Sequence, residues 1–222
     1  MQVDFAAKEI TVKLVYYGPA LSGKTTNLQS IHWLATSATC GELMTLETQN
    51  DRTLFFDMLP VTVNSDSGLK VRVKLFTVPG QVMHNATRRL VLQGVDGVTF
   101  VADSQLAETD ANRESFVNLK QNLEDNGIDP EVIPIVIQFN KRDLPDIRSE
   151  EEIDALAKES REPIFKAIAT RGFGVMQTFR GLVRQTWYHL EKEHQLQEKF
   201  GITPLRFLNE IESKLRHDPT QR

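Results

Sequence analysis

Residues 18–25 read Gly18-Pro19-Ala20-Leu21-Ser22-Gly23-Lys24-Thr25. This stretch fits G-x-x-x-x-G-K-[ST], a loop that wraps phosphate with its own backbone. Its glycines let the chain turn tightly and approach an anion closely. Successive N–H groups then point inward, and the helix that follows adds its positive end. Lys24 is expected to bridge the β- and γ-phosphates of a nucleoside triphosphate, and the Thr25 hydroxyl to ligate Mg²⁺. Ala20, Leu21, Ser22 and Thr26 would complete the cradle. A chance match in a glycine-containing turn is the bland alternative. It is weakened by context, because a strand precedes the loop and a helix follows it, as the mechanism requires.

Outward from the loop, short apolar strands alternate with longer helical stretches, the pattern of a sheet covered on both faces. Ile10, Val12, Leu14 and Tyr16 alternate with Thr11, Lys13 and Val15 as a first strand, and a helix runs from Lys24 to about Thr36. Leu54 to Val63 and Val71 to Val78 read as strands joined by Ser65-Asp66-Ser67-Gly68, a turn short enough for an antiparallel hairpin. Val95 to Val101 and Val132 to Phe139 are near-continuous apolar runs suited to central strands. Between them lies a helix with Phe116, Leu119 and Leu123 on one face, capped at Asn126-Gly127. Pro163 to Ala169 is the last strand. Val175, Phe179, Leu182, Val183, Thr186, Trp187 and Leu190 form the buried stripe of a long helix.

The 222 residues suffice for one α/β domain with an appendage. A formal net charge of -4 argues against a nucleic-acid binder that relies on a basic face. The single cysteine, Cys40, excludes an intramolecular disulfide or a cysteine metal cluster. The five histidines show no paired metal spacing with it. No apolar run could span a bilayer, residue 2 is Gln2, and the chain ends Thr220-Gln221-Arg222. A cytoplasmic protein without a lipid anchor is expected.

Asn140-Lys141-Arg142-Asp143 follows the buried strand that ends at Phe139. Ligands of open α/β sheets sit at the carboxyl ends of strands, so this tetrapeptide is placed to meet a nucleotide base. A carboxylate such as Asp143 can accept from guanine N1–H and from its exocyclic amine, a donor pair that adenine lacks. With these two motifs the chain resembles the Ras-like small GTPases from Ile10 to about Leu190. Within them it is most similar to the MglA-type GTPases of bacterial cell polarity and gliding motility. That resemblance is carried by Tyr16-Tyr17-Gly18-Pro19, Gly23-Lys24-Thr25-Thr26-Asn27-Leu28-Gln29, Asp51-Arg52-Thr53-Leu54-Phe55-Phe56-Asp57, Thr77-Val78-Pro79-Gly80-Gln81 and Val101-Ala102-Asp103-Ser104-Gln105.

The resemblance implies a three-layer P-loop NTPase fold of the small-GTPase type, its sheet mostly parallel with one antiparallel strand, plus an extra C-terminal helix. It implies a GTPase that cycles between GTP and GDP with Mg²⁺, slow without an activating partner. Gln81 would orient the attacking water. Gly80 would offer its N–H to the γ-phosphate, Thr53 would close on Mg²⁺, and Ala169 would give its N–H to the guanine oxygen. Arg52 would act as an arginine finger supplied in cis; the bland reading is a solvated loop arginine. The implied partners are a Roadblock-type MglB-like dimer, which arranges the switches, and effector proteins that recruit the chain to a cell pole. The chain by itself would be a monomer.

Two features depart from Ras, Arg52 directly before the switch threonine and Thr77. Thr77 stands where the common D-x-x-G motif has Asp. Asp57 and Asp103 are the carboxylates to examine for the missing metal support, and either could equally be a structural acid at a strand end. Trp33 and Trp187 are expected to pack in the core or a groove.

Residues 1–195 are read as the GTPase domain and 196–222 as a helical extension. Glu191-Lys192-Glu193-His194 is expected to continue as helix to Phe200-Gly201. Thr203-Pro204 then opens a helix with Leu205, Leu208, Ile211 and Leu215 on one stripe. Docking on its own domain is favoured over partner binding. The alternative function is a nucleotide-dependent scaffold with little hydrolysis; an ATPase or kinase is disfavoured by Asn140 to Asp143.

Overall fold

The computed structural model describes residues 1–4, 6–35, 40–47, 55–64, 68–80, 84–201, 203 and 209. Its strands are β1 (Gln2–Asp4), β2 (Glu9–Tyr17), β3 (Met44–Glu47), β4 (Phe55–Asn64), β5 (Lys70–Thr77), β6 (Gly97–Asp103), β7 (Ile135–Asn140) and β8 (Ile164–Lys166). Its helices are α1 (Lys24–Leu34), α2 (Asn85–Leu92), α3 (Thr109–Asp125), α4 (Glu150–Glu159), α5 (Val175–His194) and α6 (Leu196–Phe200).

One sheet runs in the order β3-β4-β5-β2-β6-β7-β8. The strands β5, β2, β6, β7 and β8 are parallel, and β4 runs against β5, as the hairpin reading required. The short β3 pairs antiparallel with β4. β1 pairs antiparallel with Glu9–Thr11, below the point where β6 joins β2 at Leu14.

Alternation along β2 builds both halves of the core. Ile10, Val12, Leu14 and Tyr16 enter one cluster with the inner stripes of α1 and α5. Val15 and Tyr17 face the other, with Leu119 and Leu123 of α3 and Ile153 of α4. All seven predicted stripe residues of α5 are buried. β6 is buried at every position, as a central parallel strand should be.

The structure also departs from the expected elements. β7 begins at Ile135 rather than Val132, since Pro134 precedes it and Val132 is exposed. β8 keeps only three residues of the predicted last strand. Trp187 is buried, but Trp33 is 61% exposed on α1, so its apolar neighbours in sequence did not make it a core residue. The charged helix does not run through to Phe200. Gln195 takes a left-handed conformation (φ 54°) and ends α5, and α6 turns back so that Leu196 joins the first core cluster. The predicted helix beyond Thr203 lies outside the described residues, apart from position 209. Among the described residues, no helix is long and apolar enough to cross a membrane.

Candidate functional site

The parallel strands deliver every described motif to one edge. Gly18 follows β2, Thr77-Val78-Pro79-Gly80 ends and follows β5, Asp103 ends β6, Asn140 ends β7, and Ala169 follows β8. β2 lies between β5 and β6, so the chain leaves it in opposite directions on its two sides. Such a switch point leaves a crevice at the carboxyl ends, where ligands of this architecture bind.

Helix α1 starts at Lys24 with no side chain capping it and no acidic residue in its first turn. Its first amides are thus available to an anion. Gly23 shows why the motif fixes glycine there. It sits at φ 98°, and a methyl group on it would lie 2.2 Å from the Asn140 side-chain nitrogen. Leu21 also has positive φ and projects into solvent, so it contributes backbone alone.

The Lys24 side chain is buried and donates to the carbonyls of Gly18 (3.1 Å) and Pro19 (2.6 Å). Burial pushes its ammonium down to about 7, and the Arg88 guanidinium adds to the shift. Gly80 lies directly over this group. A side chain there would come within 2.4 Å of the Ala20 α-carbon and 3.0 Å of Lys24 Nζ. The predicted phosphate loop and the glycine after β5 therefore meet across the crevice.

Asn140 is the junction of the other half. Its amide nitrogen donates to the Ser22 carbonyl (2.8 Å), and its amide oxygen accepts from Ala169 N (2.9 Å). One side chain thus ties the phosphate loop to the loop after β8. Lys141, at φ 64°, ion-pairs with Asp103 at 2.6 Å. Asp103 also caps the turn by accepting from Gln105 N at 3.0 Å. Asp103 therefore holds Lys141 and the loop after β6. Asp143 is an exposed residue of this loop, and Arg171 approaches its carboxylate at 3.8 Å.

Asp57 occupies a different place. One carboxylate oxygen accepts from Thr25 Oγ1 (2.6 Å) and from Thr77 Oγ1 (3.1 Å), and the other accepts from Thr45 Oγ1 (3.0 Å). Thr77 Oγ1 accepts in turn from Asp57 N at 2.9 Å. The residue that replaces the usual aspartate thus holds an aspartate of the neighbouring strand. Hard oxygen donors converging beside Thr25 are the set that Mg²⁺ prefers. Arg52, Thr53 and Gln81 lie outside the described residues, and Thr26 is half-buried in the first turn of α1.

A polar chain that no motif signalled runs beneath the site. Asn27 Nδ2 donates to the Gly23 carbonyl (2.9 Å), and the Asn27 and Gln138 amides exchange two hydrogen bonds (2.8 and 2.9 Å). Gln138 also donates to Thr178 Oγ1 (2.9 Å), which donates to the Gly174 carbonyl (2.8 Å). All three side chains are fully buried. A glutamine inside the apolar run Ile135–Phe139 was the available signal, since a buried amide requires partners.

No protein-family model matches the chain. The mutual gliding-motility protein MglA of Myxococcus xanthus (strain DK1622) is 46% identical over 190 residues, spanning 86% of this chain and 97% of that protein. Identity at that level across nearly the whole of both chains, on a sheet whose strand ends gather the phosphate loop and Asn140, places this protein in the MglA family of small Ras-like GTPases.

Proposed function

We propose that the chain is a GTP-hydrolysing switch of cell polarity or gliding-type motility. The observation that carries this reading is Asn140 bridging Ser22 and Ala169, which ties the loop after β2 to the loop after β8.

In this reading Gly18 to Thr26 wrap the phosphates, and Lys24 exchanges its two carbonyl partners for phosphate oxygens. Asp143 pairs with the guanine edge, and Ala169 N–H meets the guanine oxygen. Thr25 and Thr53 hold Mg²⁺, with Asp57 as the supporting carboxylate that Thr77 cannot be. Bound Mg²⁺ would neutralise charge on the β- and γ-oxygens as the phosphoryl group transfers. Gln81 orients the water, and Arg52 meets the charge of the transition state from within the same chain. Gly80 N–H senses the γ-phosphate, so loss of that phosphate releases the segment after it.

An MglB-like Roadblock-type dimer supports hydrolysis by ordering the switch residues, and effectors read the GTP-bound form. The chain works in the cytoplasm, as a monomer when alone, and reaches a cell pole through these partners. Residues 196–222 form an extension to the GTPase domain.

Single-turnover hydrolysis of GTP, with and without a Roadblock-type dimer, tests the proposal. Slow turnover alone and a large stimulation by the dimer are expected. Tight GTP binding with no turnover in either case would favour the scaffold alternative, which the Asp57 cluster beside Thr25 argues against.

A further inference from the structure

Arg88, on α2, is 1% exposed, yet every oxygen that its guanidinium meets is neutral. Nε donates to the Pro79 carbonyl (2.9 Å), Nη1 to Asn118 Oδ1 (2.8 Å), and Nη2 to the Gly80 carbonyl. Its carbon lies 5.4 Å from the centre of the Tyr17 ring. Among the described residues, no carboxylate forms an ion pair with it. Burying a guanidinium charge without a counter-charge is costly.

The grip on Pro79 has a directional consequence. In a planar trans peptide the carbonyl and the N–H point opposite ways. Arg88 holds the Pro79 carbonyl, so the N–H of the same peptide, which belongs to Gly80, is turned away from Arg88. Gly80 itself packs against Ala20 and Lys24. The arginine is braced from α3, because Asn118 Oδ1 also accepts from Tyr17 Oη at 2.5 Å. Asn118 and Asn122 both donate to Asn85 Oδ1, at 2.9 and 2.8 Å. Gly80, whose carbonyl Arg88 holds, also packs against Lys24 Nζ, so both cations adjoin one residue.

We infer that Arg88 is a positioning residue that biases the site toward the triphosphate over the diphosphate. It does so by fixing the Pro79–Gly80 peptide and by adding an uncompensated positive charge behind Lys24. The inference rests on the GTP-switch reading and adds a residue to which that reading gives no role. The extra negative charge of a triphosphate supplies what the buried cation lacks, and the fixed Gly80 N–H has an acceptor in the triphosphate state.

The test is equilibrium binding of GDP and of a non-hydrolysable GTP analogue to the full chain. Arg88→Gln is expected to lower the ratio of triphosphate to diphosphate affinity about tenfold. Arg88→Lys, which keeps the charge and loses the fork, is expected to restore part of that ratio. Asn118→Ala keeps the charge but frees one arm, so it should give a smaller fall, and it serves if Arg88→Gln does not fold. An unchanged ratio in the variants that fold, even with a lower melting temperature, overturns the inference and leaves Arg88 a packing residue. Wild-type protein that binds neither nucleotide would instead overturn the GTP reading itself.

Discussion

Thr25 Oγ1 donates to Asp57 Oδ2 at 2.6 Å, joining the first turn of α1 to strand β4 directly after the phosphate loop. The two residues are 32 positions apart, and no motif contains both. Asp57→Asn keeps the shape and removes the charge. Loss of a group that orients a metal's ligands typically costs about 10- to 100-fold in affinity. Nucleotide release from Asp57→Asn should accelerate by that order in Mg²⁺, while release in chelator stays near wild type. Equal acceleration in both conditions would remove Asp57 from the metal site.

Arg52→Ala is expected to abolish partner-stimulated hydrolysis and to spare GTP binding. An arginine that reaches the transition state contributes on the order of 10³-fold or more. Stimulated single-turnover rates beside GTP affinity measure both quantities, and unchanged stimulated turnover would return Arg52 to the surface.

Asp143→Asn replaces an acceptor pair with an amide that also donates. Guanine then loses a partner for its N1–H and amine, whereas xanthine, which carries a carbonyl in place of that amine, gains one. Sites built around such bonds discriminate strongly. Competition between GDP and xanthosine diphosphate should shift toward xanthine by at least about tenfold. A parallel loss of both would point to a folding defect.

Lys24 couples binding to protons. Its ammonium is held down near pH 7 by burial and by Arg88. Phosphate oxygens favour the charged form and raise that value. Above about pH 7 the protein should therefore take up protons as nucleotide binds, and affinity should fall as pH rises from 7 toward 9. Calorimetry in buffers of different ionisation enthalpy measures the uptake. The same shift acts on folding before nucleotide binds. A lysine whose value is lower folded than unfolded leaves the unfolded chain with more bound protons, so this group adds stability as pH rises from about 7 to 10.5.

The Asn27–Gln138 pair should show strong coupling. Asn27→Leu leaves the Gln138 amide short of partners in a dry core and should cost about 2 kcal/mol of stability. Adding Gln138→Leu removes the stranded group and should recover much of that loss, apart from what Thr178 forfeits. Denaturant unfolding of the single and double variants reads the difference, and simple additivity would mean the pair is not a unit.

The phosphate loop was legible because its chemistry is local. The Gly18 to Thr25 motif is a run of consecutive residues, so its spacing in sequence is its spacing in space. β2, α1, the β4–β5 hairpin and the stripe of α5 were legible for the same reason, since periods of two and near four arise within a segment. β1, β3, α2 and α4 went unread, being short and bounded more by what they pack against than by internal pattern. Trp33 shows the converse, as apolar neighbours along the chain did not decide its exposure.

The local pattern by itself placed a G-x-x-x-x-G-K-[ST] loop between a strand and a helix, and the Asn140-Lys141-Arg142-Asp143 tetrapeptide at a later strand end. Tertiary structure decided how those pieces became one site. Only the order β5-β2-β6-β7-β8 brings Asn140 between Ser22 and Ala169. Only the β4–β5 pairing sets Asp57 against Thr25 and Thr77, whereas Asp103 is engaged with Lys141. The physical reason is that a hydrogen bond or ion pair requires contact within a few ångströms. Contacts between residues 20 to 118 positions apart are set by strand order and register, which no local pattern encodes.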